Sequence, residues 1–513
     1  MSSQQYRSTR STQPETFSFE ETVITGLASD GGLFLPSVIP QVSLETLKEW
    51  SNLSFQDLAH EIMKLYISND EIPESDLKDL IQASYSTFRS TEITPLVPLI
   101  ESKNLYLLEL FHGPTFAFKD VALQFVGNLF EYFLKRKNSK LDENSKERHK
   151  ITVVGATSGD TGSAAIYGLR GKKDVSVFIL YPTNRISSIQ ELQMTSVLDA
   201  NVHCLSVLGT FDDCQDIVKT LFRDKEFNDK YHIGAINSIN WARILAQITY
   251  YFYSFFKLNK NLDINKKIKY VVPSGNFGDV LAGYFAKKMG LPIEKLVIAT
   301  NENDILDRFM KTGKYQKESV GVKSTLSPAM DILISSNFER LLWYLIKDNL
   351  TNNNDLEAGK VLNDWMVSLK ENNLIEAPSE VLKAALKDFD SERVSNEETL
   401  ETIKEIYQVA EKYILDPHTS VGVTSSLRHI QKDEQNNEQK YYISLSTAHP
   451  AKFADAVNEA LEENKGYNFD NDVLPEELKS LGKEGRRVTF VDDNSVSEVK
   501  KVIIEKLAEE NKI

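Results

Sequence analysis

Four short segments of the chain hold residue types suited to chemistry on a small anionic molecule. FHGPTFAFKD, at 111–120, sets Lys119 between Phe118 and the start of an apolar helix that Asp120 opens. A lysine among aromatics at a helix N-terminus is desolvated and lies near a positive dipole end, and both effects lower its pKa. An imine-forming lysine needs that environment, because only the neutral amine attacks an aldehyde. Taken alone, the feature is outweighed by the ordinary alternative of a lysine that snorkels to solvent. SGDTG at 158–162 and SGNFGD at 274–279 are glycine-rich turns of one build. Their glycines let backbone approach a ligand, and hydroxyls and amide hydrogens at a helix start suit a carboxylate or phosphate. A single such turn is weak evidence; two of them suit a ligand, or ligand pair, with two anionic ends. STAHP at 446–450 ends the last apolar strand and is the third turn of interest. Neither glycine-rich turn is GxGxxG, no GxxxxGK[ST] loop occurs, and GxSxG is absent around Ser158 and Ser274. Nicotinamide, nucleotide-triphosphate and hydrolase-elbow chemistries lose support accordingly.

The pattern around these segments supplies the strands and helix starts needed to present them. ITVVGAT (151–157) predicts a buried strand that runs through SGDTG into a helix, and KIKYVVPSGN (267–276) predicts the same sequence of events before GDVLAGYFAKKMG. NLYLLEL (104–110), VSVFILYP (175–182), NVHCLSV (201–207), KLVIATN (295–301) and the start of YYISLSTAHPAKFADAVNEAL (441–461) predict further strands. Helices are expected over 123–137, 214–222 and the aromatic-rich 244–256, with a polar loop at 137–150. Strand, glycine-rich turn and helix in repetition imply an α/β fold, a parallel sheet flanked by helices, with ligands at the carboxyl ends of strands. Residues 1–100 predict a mainly helical region, with a turn at SDGGLFLP (29–36) and helical spacing over 44–50 and 58–67. Residues 311–404 predict a helical insertion. Residues 461–513 form a charged tail that could end in a strand, RRVTFVD, and a helix, SVSEVKKVIIEKLAEE.

Composition narrows the class. The chain has 513 residues, 41% hydrophobic and 26% charged, which excludes wholesale disorder and suggests about three domains. Lys and Arg number 59 against 74 Asp and Glu, a net charge of −15, which argues against nucleic-acid and anionic-membrane partners. No apolar run approaches the length of a membrane span. The N-terminus lacks a signal-peptide core, and Glu15, Glu20 and Glu21 come too early for an organellar transit peptide, so a cytoplasmic protein is expected. Cys204 and Cys214 read as reduced thiols without zinc-ligand spacing, and no metal is expected.

The order of the motifs adds more than any one of them. PTFAFKD, then SGDTG about forty residues later, then SGNFGD, then STAHPAKF, resembles the pyridoxal-phosphate enzymes of fold type II, the tryptophan-synthase β-like group. More narrowly it is similar to the threonine synthases of the long fungal and bacterial type. FSFEETVITGLASDGGLFLP, LELFHGPTFAFKDVALQF, NSINWARILAQ, SPAMDILISSNFERLL and LDPHTSVG also look like that family, so the resemblance runs from about residue 5 to about 455.

The resemblance implies two parallel-sheet α/β domains, with a cofactor-binding core at 101–310 and 405–460 in which 116–240 contains the smaller, substrate-side domain. It implies pyridoxal 5'-phosphate as cofactor, held covalently by Lys119, which then shuttles protons. Gly275, Asn276, Phe277 and Asp279 would form the loop around its phosphate, and Thr447 would hydrogen-bond the ring nitrogen. Asp279 is the uncomfortable member, since a carboxylate repels phosphate unless it points away or caps the helix. Thr157, Ser158, Asp160 and Thr161 would take the carboxylate and amine side of the substrate. Asn240 and Arg243 are candidates for its phosphate, against an almost equal alternative of a helix cap and a structural ion pair. His418 and His449 read as structural histidines. The implied reaction turns O-phospho-L-homoserine and water into L-threonine and phosphate, with no obligate protein partner evident. The rivals are a serine or threonine dehydratase of the same cofactor class and a catalytically silent relative that binds a phosphorylated metabolite.

Overall fold

The computed structural model describes residues 4–510 apart from 144, 235 and 264. Two sheets organise these residues. The larger has six strands in the order Phe389–Arg393, Lys295–Thr300, Ile268–Pro273, Tyr441–Ser446, Leu105–Glu109 and Leu96–Ile100. All neighbours in it are parallel except the last pair. The smaller has five parallel strands in the order Thr489–Val491, Val202–Val207, Val175–Pro182, Ile151–Ala156 and Ile233–Gly234. Parallel strands are covered on both faces, which is why they read as continuous apolar runs. Val175–Pro182 is buried along its whole length.

Crossover helices return the chain between parallel neighbours. Asp160–Leu169 joins Ile151–Ala156 to Val175–Pro182, and Gly278–Lys288 joins Ile268–Pro273 to Lys295–Thr300. The helix Lys119–Lys137 lies against Asp160–Leu169 at very short range. A Cβ on Gly127 would stand 1.9 Å from the Gly168 carbonyl oxygen, so only glycine permits this approach. That contact fixes Lys119 relative to the turn that carries Asp160. The helix Trp241–Leu258 is buried over its first sixteen residues, which are mostly apolar and aromatic but include Arg243 and Gln247. Helices Phe19–Thr25, Leu44–Trp50, Phe55–Met63 and Glu74–Tyr85 form most of the N-terminal region. There Tyr6–Ser8 pairs antiparallel with Phe34–Pro36.

Two segments depart from the sequence expectation. The 311–404 stretch is mainly helical, as the pattern predicts, but it also gives the larger sheet its edge strand, Phe389–Arg393. That strand, FDSER, is only half-buried after its first residue, and an edge position tolerates the polar residues that hid it. The tail is part of the smaller sheet: Thr489–Val491 pairs with Val202–Val207, and the helix Val496–Glu509 buries Val499, Ile503 and Leu507 against the core that holds Cys214. No helix among the described residues is long and apolar enough to cross a membrane.

Candidate active site

Two turns at the carboxyl ends of parallel strands, SGDTG of the smaller sheet and STAHP of the larger, meet at Lys119, where open α/β sheets place their ligands. The Lys119 loop runs along the turn that follows Tyr441–Ser446: Phe118 N–H donates to the Thr447 carbonyl at 2.8 Å, and His449 N–H to the Phe116 carbonyl at 3.0 Å. Lys119 itself is buried, its Nζ 5.3 Å from the Phe118 ring centre and 3.8 Å from Asp160 Oδ2. Burial lowers its pKa to about 8; Asp160 pulls it up, while Lys452 and Arg243 push it further down. An amine so placed is neutral for a useful fraction of the time near neutrality.

Asp160 is the fixed anion of the site. Its Oδ1 receives Lys452 Nζ at 2.8 Å and Gln190 Nε2 at 2.9 Å. Burial alone would raise its pKa, but Lys452 and Lys119 together hold the carboxyl well below the usual carboxylate range. The turn before it is built for the purpose. Thr157 Oγ1 accepts N–H bonds from Gly159 and Gly162 at 2.9 and 2.8 Å, and Gly159 sits at φ 140°, where a Cβ would strike the Gln190 side chain. Thr157 therefore shapes the turn, while Ser158 and Thr161 stay half-exposed beside it.

Arg243 is buried, its guanidinium reaches no carboxylate among the described residues, and its Nη1 has no hydrogen-bond partner. Burial lowers its pKa to about 10, still far above neutral, so the group is a cation, and its charge lowers the pKa of Lys119. An unpaired buried charge costs several kcal/mol unless an anion completes it. Asn240, expected beside it as a second phosphate donor, is instead the cap of the helix Trp241–Leu258. Its Oδ1 accepts the Ala242 N–H at 3.1 Å and its Nδ2 donates to the Val23 carbonyl at 2.8 Å.

The SGNFGD turn divides its residues between loop and core. Ser274 Oγ is buried without a partner. The Gly275 carbonyl accepts from Ser335 Oγ at 2.6 Å, and a Cβ there would stand 2.9 Å from Met330 Cα. Asn276 Oδ1 accepts from Ser336 Oγ at 3.1 Å. Phe277, with φ 61°, turns its ring into the core against Phe338, so only its backbone remains for a ligand. Asp279 points away: its Oδ1 accepts from the Tyr250 and Tyr251 hydroxyls, and burial pushes its pKa up to about 7. Gly278–Lys288 has no side-chain cap, which leaves its first-turn amides for a ligand.

Of the two histidines near these turns, His418 is hydrogen-bonded through Nδ1 to Asp416 Oδ1 at 2.9 Å and accepts the Ala329 N–H on Nε2 at 3.1 Å. His449 accepts the Ala451 N–H at 3.2 Å, and burial lowers its pKa to about 4. Both are satisfied structural groups. Lys452 and Gln190 are the site residues that sequence reasoning missed. Lys452 stands in the quoted STAHPAKF, but nothing in that string says that it is buried.

Residues 88–446 match the model of the family described as pyridoxal-phosphate dependent enzyme, while 5–85 match "Threonine synthase N terminus" and 419–503 "Threonine synthase, C-terminal". The threonine synthase of Saccharomyces cerevisiae is 65% identical over 512 residues, 99% of this chain and 98% of that one. The chain belongs to the threonine synthase family. A yeast threonine synthase crystal structure superposes with a TM-score of 0.95, covering 99% of both chains at 65% identity. The threonine synthase of Brucella melitensis, solved with pyridoxal phosphate bound, gives 0.86 at 38% identity over 98% of this chain and 99% of that one. The two parallel-sheet α/β domains are thus those of fold type II, and threonine synthases are pyridoxal-phosphate-dependent enzymes of threonine biosynthesis. The residues present fit that cofactor. A desolvated amine, an orphaned Ser274 hydroxyl beside an uncapped helix start and an uncompensated guanidinium form the donor set that a phosphorylated aldehyde and an anionic substrate require.

Proposed function

We propose that the chain converts O-phospho-L-homoserine and water to L-threonine and inorganic phosphate, with Lys119 as the reactive amine. Pyridoxal phosphate, when bound, supplies the electron sink that makes the substrate's carbons acidic. Lys119 Nζ binds the cofactor and afterwards takes and returns protons at the substrate's α and β carbons, since one amine on a long stem reaches both. Ser274, Gly275, Asn276 and the first amides of Gly278–Lys288 receive the cofactor's phosphate, with Phe277 supplying backbone and Asp279 turned aside. Thr447 offers its hydroxyl to the ring nitrogen. Ser158 and Thr161 take the substrate carboxylate with the turn shaped by Thr157, and Asp160 faces its amine.

One observation carries the assignment to a phosphorylated substrate. Arg243 is a buried cation whose charge acts on Lys119, with no counter-charge among the described residues, so the site is complete only when an anion arrives. The segment 116–240 forms the substrate side of the molecule in this reading, and 101–310 with 405–460 the cofactor core. A cytoplasmic location belongs to it as well, supported by the two buried free thiols, Cys204 and Cys214. The test is release of phosphate from phosphohomoserine by the purified holoenzyme. Lys119→Ala is expected to abolish both that release and the visible absorbance band while circular dichroism stays unchanged. Normal release by this variant would end the assignment of Lys119.

A further inference from the structure

Lys452 is fully buried and makes two contacts through Nζ, each at 2.8 Å: the Asp160 carboxylate and the Thr115 carbonyl. Its own carbonyl accepts from Ser187 Oγ at 3.3 Å, and the Thr115 carbonyl takes a second bond from Gln193 Nε2 at 3.1 Å. Three segments therefore meet on one side chain: the loop that leads into Lys119, the turn and helix of the smaller sheet that carry Asp160, and the turn after the last strand of the larger sheet. We propose that Lys452 is a positioning residue for Lys119, holding the Asp160 carboxylate off the Lys119 amine and fastening the smaller sheet's turn to the larger sheet's.

The distances state the division of labour. Asp160 stands 2.8 Å from Lys452 and 3.8 Å from Lys119, so the shared carboxylate is given first to the lysine that does no chemistry. A carboxylate free to close on Lys119 would keep that amine protonated. A plain structural pair in this place gains little over apolar packing, because desolvation consumes most of the attraction. Two lysines and one carboxylate, with Arg243 nearby, instead leave the pocket with excess positive charge that suits an anionic ligand. The groups facing Lys119 are Asp160 from Asp160–Leu169, Lys452 from the turn Pro450–Lys452, Arg243 from Trp241–Leu258 and Asp120 on its own helix. Asp120 is occupied by Thr115, which donates to it through N–H and Oγ1 at 2.7 Å each.

The proposal rests on Lys119 being the reactive amine, and the test separates the two. The pH titration of the visible band of the full-length holoenzyme is compared for wild type, Lys452→Met and Lys452→Arg. Lys452→Met removes a neighbouring cation and frees Asp160, so the midpoint is expected to rise by about one pH unit, and the acid limb of the kcat profile with it. Lys452→Arg keeps the charge and is expected to hold the wild-type midpoint, an outcome that loss of stability alone does not produce. If Lys452→Met fails to fold, Lys452→Gln, which retains a donor for the Thr115 carbonyl, carries the same expectation. An unmoved midpoint in either folded neutral variant, or an equal shift in Lys452→Arg, overturns the proposal. A visible band that survives in Lys119→Ala instead overturns the assignment of Lys119 and not that of Lys452.

Discussion

The turns SGDTG and SGNFGD share a build, Ser-Gly-x-x-Gly after a parallel strand, yet their acidic residues meet opposite fates. Asp160 stays in the site as an anion, because Lys452 and Lys119 supply two cations within 4 Å. Asp279 is given two tyrosine hydroxyls and no cation among the described residues, so it turns from the turn's concave side and is largely protonated below pH 7. Composition and spacing do not decide whether a carboxylate serves or leaves a ligand site; the partners that tertiary structure delivers do. In the function proposed above, the first turn serves a cationic amine beside a carboxylate, and the second is kept clear for a dianion.

This contrast can be broken by substitution. The largest effect is expected from Asp160→Asn, which leaves Lys452 buried without its partner at a cost of about 3–5 kcal/mol. Denaturant unfolding of the cofactor-free chain should show that loss, and phosphate release should fall by about a hundredfold or more, roughly 2.7 kcal/mol of barrier. Arg243→Ala comes next. Its charge-assisted bonds to substrate phosphate are worth about 1.5–3 kcal/mol each, so the Michaelis constant for phosphohomoserine should rise roughly tenfold to a hundredfold. Cofactor content should stay intact, and the thermal midpoint without substrate should not drop, since an uncompensated cation has been removed. Steady-state kinetics showing an unchanged Michaelis constant would instead favour an enzyme whose substrate lacks the phosphate. Asp279→Asn should act least on turnover, and chiefly on how stability varies with pH. Its folded pKa, about 7, lies above the unfolded value near 3.9, so its contribution is complete below that lower value and is lost as pH rises toward 7. Asp160, with a depressed pKa, has the opposite sign and loses its contribution only as pH falls below the unfolded value. Unfolding curves from pH 4 to 7 should therefore be flatter in Asp279→Asn by up to about 1.4 kcal/mol per pH unit. An unaltered slope would mean that Asp279 is ionised in the fold.

Much of this was legible in the chain itself. The strand over 175–182 was readable to its ends because burial on both faces demands an unbroken apolar run. The burial of Lys119 was half legible: its aromatic neighbours and helix start are local in sequence, but alone they favour a lysine that snorkels to solvent, and the order of the motifs tips the reading. Lys452 and Gln190 were not legible, since their meaning lies in an anion hundreds of residues or a whole crossover away. Phe277 and Asn240 show what motif position leaves open: the Phe277 ring belongs to the core, and the Asn240 amide caps a helix, the alternative that the sequence leaves almost even. Phe389–Arg393 escaped because an edge strand need not be apolar.

The tail's place in the smaller sheet has a consequence for how the protein comes into being. Every strand of the larger sheet has been synthesised once residue 446 is made, whereas the smaller sheet waits for residues 489–491 to take the edge beside Val202–Val207. Glu510 then locks that edge through His203 at 2.7 Å and Ser176 at 2.9 Å. Synthesis proceeds from the N-terminus and domains fold as they emerge. The half of the molecule that holds Asp160 is thus finished last, and an incomplete chain ends with that half unsealed.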